Sequence, residues 1–328
     1  MIDGFGRRIN YLRLSVTDRC NLRCIYCSMC MDFHFLPHNE ILTYEECSRI
    51  ISLAGDLGLE KIRLTGGEPF VRKGFVDFVV SVLRKYPSLD IRITTNGTLI
   101  TRGDIRRLKD AGIGSINVSL DTFDPDRFRW IAGVDMLNRV LSSLDMLLEE
   151  GIRTKVNVVS LKGINDGEIE KFVQFASSRT VDVRFIEFMD ISGKSRWHRQ
   201  FFISAREILR RIEDYCEIRP VCSLNQTSGP ARMYEIVGGR GRIGVISPLS
   251  NHFCGTCNRV RITAEGRVKT CLFSPVSYRI KPLLRNPRFS DSHLCLVLKT
   301  LIQRKKPVGH EIFSPEMRRG EGMYSIGG

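Results

Sequence analysis

The chain has 328 residues, 42% of them hydrophobic and 26% charged, with a formal net charge of +14. This is ordinary for a soluble globular protein, with room for one large α/β domain or a domain plus an extension. No apolar run reaches roughly 18 residues, so no membrane span is expected, and Met1-Ile2-Asp3-Gly4 lacks the basic-then-apolar layout of a signal peptide. A cytoplasmic location is the default. The positive excess implies attraction to anions without saying which; the densest basic run is Arg304-Lys305-Lys306.

Strand and helix patterns alternate along the first two thirds. Tyr11–Val16 reads as a strand. Thr43–Leu57 reads as a helix opened by the capping box Thr43-x-x-Glu46. Lys61–Thr65 is a strand and Gly74–Lys85 a helix. Asp90–Thr95 is a strand closed by Asn96-Gly97; Thr101–Ala111 is a helix, and Ser115–Leu120 a strand. Met136–Glu150 is a helix ending at Gly151. Thr154–Ser160 is a strand, Asp166–Ser178 a helix and Val181–Phe188 a strand. Six strands separated by helices predict a parallel sheet, because parallel strands need crossovers. Lys61–Thr65 and Asp90–Thr95 mix charged with apolar residues, so one face of each is expected to line a polar cavity. Ligands of such folds sit at the carboxyl ends of the strands. Gly66-Gly67-Glu68-Pro69, Thr94-Thr95-Asn96-Gly97 and Ser119-Leu120-Asp121 fall there. Beyond residue 195 come a helix, Ser204–Glu213, with a capping box of its own, Ser204-x-x-Glu207, then short strand-like pieces at Met233–Val237 and Arg242–Ile246. A domain boundary is placed near 225, giving parts 1–225 and 226–328.

Eleven cysteines are many for a chain with no export signal, and disulfides are not expected. They cluster at 20, 24, 27 and 30 and again at 254, 257 and 271, which favours metal or iron–sulfur ligation. Cys47, Cys216, Cys222 and Cys295 are scattered and read as incidental thiols. Cys20, Cys24 and Cys27 form C-x3-C-x2-C. Three thiolates can bind three irons of a cubane and leave the fourth open to a small chelate. Structural zinc wants four closed ligands, which Cys30 would complete. Gly66 and Gly67 let backbone approach a ligand closely, and Glu68 can accept hydrogen bonds from an ammonium. Cys254, Cys257 and Cys271 form C-x2-C-x13-C, open to either a second cluster or a zinc ribbon completed by His252. Arg259 and Arg261 alternate on the strand-like Val260–Thr263 and face one side, a forked site for phosphate oxygens.

The first triad together with Gly66-Gly67-Glu68-Pro69 resembles the radical S-adenosylmethionine (SAM) superfamily. Asp3-Gly4-Phe5-Gly6-Arg7, Leu12–Cys20, Lys61–Pro69, Cys254–Arg261, Cys271, Gly309-His310 and the Gly327-Gly328 end are similar to the branch that serves molybdenum cofactor biosynthesis. The resemblance implies an α/β fold: an incomplete (βα)6 TIM-like barrel with a C-terminal α+β extension carrying a second Fe–S cluster. It implies two [4Fe–4S] clusters, one on Cys20, Cys24 and Cys27, the other on Cys254, Cys257 and Cys271. It implies that the SAM-derived 5′-deoxyadenosyl radical takes hydrogen from C3′ of GTP, which closes onto C8 to give (8S)-3′,8-cyclo-7,8-dihydroguanosine 5′-triphosphate.

Carried over by motif, Tyr26, Gly67, Ser119 and Met189 contact SAM. Arg13, Arg63, Thr95, Lys155, Arg259 and Arg261 contact GTP, with Arg259 and Arg261 also counted as catalytic. Gly327 and Gly328 reach into the active site and assist the first hydrogen abstraction. An external electron donor and a cyclic pyranopterin monophosphate synthase acting on the product are the implied partners, and a homodimer is admitted. Nucleic acid and membrane are not expected partners. Where the branch has Met-Pro after its third cysteine, this chain has Ser28-Met29-Cys30-Met31, and Cys30 is expected not to be a ligand. The rival readings are a peptide-maturing enzyme of the same superfamily, which would carry more C-terminal cysteines, and a zinc-bearing nucleic-acid binder, which would need interleaved aromatics.

Overall fold

A computed structural model describes residues 1–28, 35–189, 200–221, 229–274 and 276–306. Cys30, Cys222, Gly309-His310, Gly327 and Gly328, and the boundary near 225, lie outside the described residues. Strands β1 (Tyr11–Ser15), β2 (Lys61–Thr65), β3 (Asp90–Thr95), β4 (Ser115–Ser119), β5 (Thr154–Ser160) and β6 (Asp182–Glu187) pair in chain order, all parallel. Between them run α1 (Ile25–Ser28), α2 (Tyr44–Asp56), α3 (Phe75–Lys85), α4 (Arg102–Asp110), α5 (Pro125–Ala132), α6 (Leu137–Glu149) and α7 (Ile169–Ser178). The α2 capping box forms: Glu46 N donates to Thr43 Oγ1 at 3.2 Å, and Thr43 N to the Glu46 carboxylate at 2.7 Å.

Three local expectations change. Pro125–Ala132 is a helix the apolar pattern did not reveal, although Asp124 caps it, Pro125 opens it and Gly133 ends it at φ 75°. Asp166–Glu168 is a 3-10 turn preceding α7. At α8 (Ala205–Glu213) only half the capping box exists, because the Glu207 carboxylate turns to Arg210 and Arg211 instead of the Ser204 N–H.

The C-terminal strands do not make a sheet of their own. β9 (Arg242–Ile246) adds parallel to β6, and β10 (Arg259–Ile262) adds parallel to β1. β8 (Arg232–Ile236) and β7 (Ile218–Pro220) extend antiparallel beyond β9; β11 (Arg267–Lys269) and β12 (Tyr278–Arg279) do so beyond β10. One twelve-stranded sheet results. The stretch 247–258 therefore passes from one edge of the partial barrel to the other, and it carries Cys254 and Cys257. Helices α9 (Lys281–Arg285) and α10 (Asp291–Gln303) follow; α10, in a stretch without an assigned motif, packs against α2.

Strand alternation decides what lies inside. Leu12, Leu14, Ile62, Leu64, Ile91, Ile93, Ile116 and Val118 point outward and are buried under the helices, each such side chain contributing about 1.5–3 kcal/mol by leaving water. Their neighbours at i±1 point inward and are polar or charged. A filled TIM barrel packs branched apolar side chains there; here the interior is a cavity of about 950 Å³ lined by those polar residues and by both cysteine triads.

Candidate active site

The inward rows follow from register. Arg13 on β1 stands beside Arg63 on β2 and Arg261 on β10, and Arg63 stands beside Arg92 on β3. The next row runs Thr94, Asn117, Lys155, Asp182 and Arg242 across β3, β4, β5, β6 and β9. Ser119, Asn157 and Arg184 form the third. All of them line the cavity.

The guanidiniums crowd one another. Burial, with Arg63 and Arg259 nearby, lowers Arg13 to about 10 despite the help of Tyr11. Burial, then Arg63, lowers Arg184 to about 9. Burial, then Arg13 and Arg259, holds Arg261 well below its ordinary value. Arg184 reaches Asn157 Oδ1 through Nη2 at 2.7 Å, but its Nε, like Asn117 Oδ1, is buried with no hydrogen-bond partner. Gly244, opposite Arg184, leaves it space: a Cβ there would meet Arg184 Cγ at 2.8 Å. Lys155 is committed, its Nζ 2.7 Å from Asp182 Oδ2, and Arg242 binds the same carboxylate through Nε at 2.9 Å. Buried cations in this arrangement call for a polyanion, and guanidiniums suit phosphate oxygens.

Tyr11 supplies the internal counter-charge. Arg63 Nε donates to its hydroxyl at 2.6 Å, and Lys61 Nζ stands 4.9 Å from its ring centre. Burial by itself would raise the phenol, but Arg63, Arg13 and Lys61 outweigh it and bring it down to about 7 from 10.0. A depressed folded-state value means stability that is complete above the unfolded value and is lost as pH falls through about 7. The melting-temperature advantage of the ligand-free protein over Tyr11→Phe is therefore expected to grow between those two values. Parallel melting curves across that window would refute this assignment.

The first triad leaves the carboxyl end of β1. Cys20 Sγ receives the Leu22 N–H at 3.4 Å and Asn96 Nδ2 at 3.8 Å, and Cys27 N donates to Cys24 O at 2.9 Å. Burial raises the Cys20 and Cys24 thiols, Cys24 strongly, so ligation must itself drive deprotonation. Tyr26 donates to Asp121 Oδ2 at 2.6 Å, and burial lifts that carboxyl to about 6. Gly67 presses on the triad's backbone: a Cβ there would stand 2.3 Å from Arg19 O and 2.8 Å from Asp18 O. Glu68 is buried and holds its loop from within. One oxygen takes Phe70 N at 3.0 Å and Thr95 Oγ1 at 2.7 Å, the other Asn96 N at 2.6 Å, so Glu68 buckles the loop to the end of β3. Thr95 lines the cavity with its hydroxyl on Glu68, while Thr94 accepts from Arg63 Nη1 at 3.2 Å. Ser119 and Met189 also line the cavity.

The second triad lines the same cavity. Cys254 opens a 3-10 turn, and Cys257 N donates to Cys254 O at 3.2 Å. Burial opposes ionisation of Cys257, but Arg259 and Lys305 prevail and hold its thiol near 6. Arg259 Nη2 lies 3.8 Å from Cys257 Sγ, and Arg259 caps the Phe253 ring at 4.8 Å. His252 turns its Nδ1 to Pro248 O at 2.6 Å and is not among the cavity-lining residues. Among the described residues no three His, Cys, Asp or Glu side chains lie close enough to hold a single metal ion. A cubane does not require that, since each cysteine binds a different iron. Both triads thus have donors that fit a cluster: three sulfurs each, opening on one cavity.

A parallel partial barrel, a three-cysteine loop after its first strand and a glycine-rich loop after its second define a radical SAM protein. The family model of the Radical SAM superfamily matches residues 14–176, and that of Molybdenum Cofactor Synthesis C matches 181–311. The GTP 3′,8-cyclase of Thermodesulfovibrio yellowstonii is 42% identical over 331 residues, covering 100% of both chains. That of Geobacter sulfurreducens is 44% identical over 285 residues, 87% of this chain and 86% of its own. Molybdenum cofactor biosynthesis protein 1 of Drosophila melanogaster is 39% identical over 308 residues, 93% of this chain and 54% of that protein. The chain belongs to the GTP 3′,8-cyclase family of the radical SAM superfamily, whose members use SAM and a [4Fe–4S] cluster. In fold it resembles Streptococcus suis SuiB bound to its precursor peptide SuiA (TM-score 0.63, 16% identity, 96% of this chain and 76% of that one).

Sequence patterns missed Arg184, Asn117, Tyr11 and Arg92. Their signal was present in the strict alternation of each strand, as in Asp182-Val183-Arg184-Phe185. Among the described residues no helix is long and apolar enough to cross a membrane.

Proposed function

We propose that this chain converts GTP to (8S)-3′,8-cyclo-7,8-dihydroguanosine 5′-triphosphate, a lyase reaction of molybdenum cofactor biosynthesis. The observation that carries the reading is one cavity walled by two cysteine triads and floored by buried guanidiniums. A triphosphate relieves the mutual repulsion of Arg13, Arg63, Arg184 and Arg261, and Arg184 Nε and Asn117 Oδ1 are open to further hydrogen bonds. Lys155 reaches the same anion from its pair with Asp182, and Thr95 sits at the same rim. Arg259 and Arg261 orient the nucleotide beside the second triad.

Cys20, Cys24 and Cys27 would hold the first cluster, and Cys254, Cys257 and Cys271 the second, whose free iron would face the purine. When bound, the first cluster and SAM supply the 5′-deoxyadenosyl radical that takes the C3′ hydrogen. Tyr26, Gly67, Ser119 and Met189 form the SAM wall, Tyr26 being held still by Asp121. The walls exclude water from the reacting carbons. Gly327 and Gly328 assist the first abstraction, residues 1–225 and 226–328 are the two parts, and a homodimer, an external electron donor and a cyclic pyranopterin monophosphate synthase complete the proposal.

Anaerobic incubation with GTP, SAM and dithionite is expected to yield 5′-deoxyadenosine and the cyclised nucleotide in step. 5′-Deoxyadenosine formed without any change in GTP would contradict the substrate assignment.

A further inference from the structure

Two sequence motifs remain outside this chemistry: Asp3-Gly4-Phe5-Gly6-Arg7 and the basic run ending in Lys305-Lys306. They meet at the second triad. Asp3 Oδ1 accepts the Phe5 and Arg7 N–H groups, each at 2.9 Å, and Oδ2 accepts Arg7 Nε at 2.7 Å. The pair is buried, so the rest of the guanidinium must also find acceptors. Arg7 Nη1 donates to Cys254 O at 2.8 Å, and Nη2 to Lys306 O at 2.7 Å. The glycines serve this grip. A Cβ on Gly4 would stand 2.8 Å from Gln303 O, at the end of α10, and Gly6 turns the chain at φ 76°.

Lys305, only 3% exposed, donates Nζ to Arg259 O at 2.8 Å and to Thr270 O. Thr270 precedes Cys271, and Arg259 lies two residues beyond Cys257. The two cations therefore bind backbone beside all three cysteines. Cys271 follows β11, whose antiparallel pairing with β10 sets Lys269 opposite Arg261, and Lys305 joins the two segments just beyond the end of that ladder through Arg259 O and Thr270 O.

We infer that Arg7 and Lys305 are positioning residues for the second cluster, holding three separate segments at the spacing a four-iron cluster requires. The inference rests on the proposed second cluster. Neither residue touches a reacting atom. Each acts through carbonyls, with charge-assisted hydrogen bonds that hold where neutral ones would loosen.

The test compares iron content and the electron paramagnetic resonance spectrum of anaerobically purified full-length wild type, Lys305→Met, Cys257→Ala and the double variant Asp3→Asn with Arg7→Met. The double variant removes the ion pair whole, leaving no buried charge unpaired. Lys305→Met and the double variant are expected to lose about half of the iron, as Cys257→Ala does, since one of two clusters goes. They should keep the first cluster's signal and its change on adding SAM. Full iron with an unaltered second-cluster signal in both would overturn the inference. Equal loss of both clusters would also overturn it, because the residues would then support the whole fold. If wild type holds one cluster's iron and Cys257→Ala removes none, the second-cluster reading itself fails, and the inference with it.

Discussion

Substituting Gly67 with alanine is expected to weaken iron binding at the first triad by about 10- to 100-fold and to cut reductive SAM cleavage in proportion. The cause is backbone against backbone. The new Cβ would lie 2.3 Å from Arg19 O and 2.6 Å from Arg19 C, atoms that cannot rotate away as a side-chain tip would. The contact is also made by hydrogen bonds: Gly67 N donates to Thr17 O at 2.9 Å and Glu68 N to Arg19 O at 2.8 Å. Opening this seam moves Cys20 relative to Cys24 and Cys27, which belong to the next turn. Overpacking of this kind costs about 1–3 kcal/mol, so the chain still folds while the ligand geometry is lost. Iron analysis checks it, with Cys254, Cys257 and Cys271 as the internal reference. A Gly67→Ala protein with its full complement of iron and normal SAM cleavage would show that the seam yields without disturbing the triad.

Arg184→Met carries the second large effect. It is expected to lower kcat/KM for GTP by about 10- to 100-fold, mainly through KM, since a charge-assisted hydrogen bond contributes about 1.5–3 kcal/mol. Arg184 is buried at the β6 end of the third inward row, opposite Gly244, with Nε open. Methionine preserves the stem and removes the fork. Iron content should be unaffected, because the hydrogen bond of Arg184 goes to Asn157 and not to either triad. Steady-state kinetics with GTP, alongside iron content, checks this. An unchanged KM would mean that the triphosphate lies on the Arg13, Arg63 and Arg261 row alone. Arg184→Lys should recover part of the loss, as a point charge without the fork.

These two residues also mark how far the sequence could be read. Gly67 was legible because its motif is contiguous, and Gly66-Gly67-Glu68-Pro69 means the same wherever the chain goes. The reason for the glycine was not legible. A close approach to a ligand was expected, and Gly67 does line the cavity; the contact that excludes a Cβ, with the backbone of Arg19, is one the motif does not announce. Glu68 is a similar case: its carboxylate takes Phe70 N from its own loop and Thr95 Oγ1 and Asn96 N from the end of β3, a tie between two segments that no motif announces. Arg184 was hidden by a different cause. On β6 it is one more alternating residue, like Arg242 on β9, and only register tells that Arg242 is spent on Asp182 while Arg184 keeps a free donor. Cations are common in this chain, and composition cannot separate a solvated one from a buried one.

The six-stranded parallel core followed from local patterns, since each of its strands announces itself within its own residues. The destination of the last hundred residues did not. Two short strands, β9 and β10, go to opposite edges of the same sheet, and that choice depends on pairing partners far away in the chain. Sequence by itself determined the two cysteine triads, the glycine-rich loop and the inward polar alternation, because spacing along a covalent chain sets them. Tertiary structure alone decided that the triads share one cavity, which cations remain open within it, and that residues at the two ends of the described chain grip the second triad. Those are long-range contacts, made only when the crossing from β9 to β10 closes the open side of the barrel.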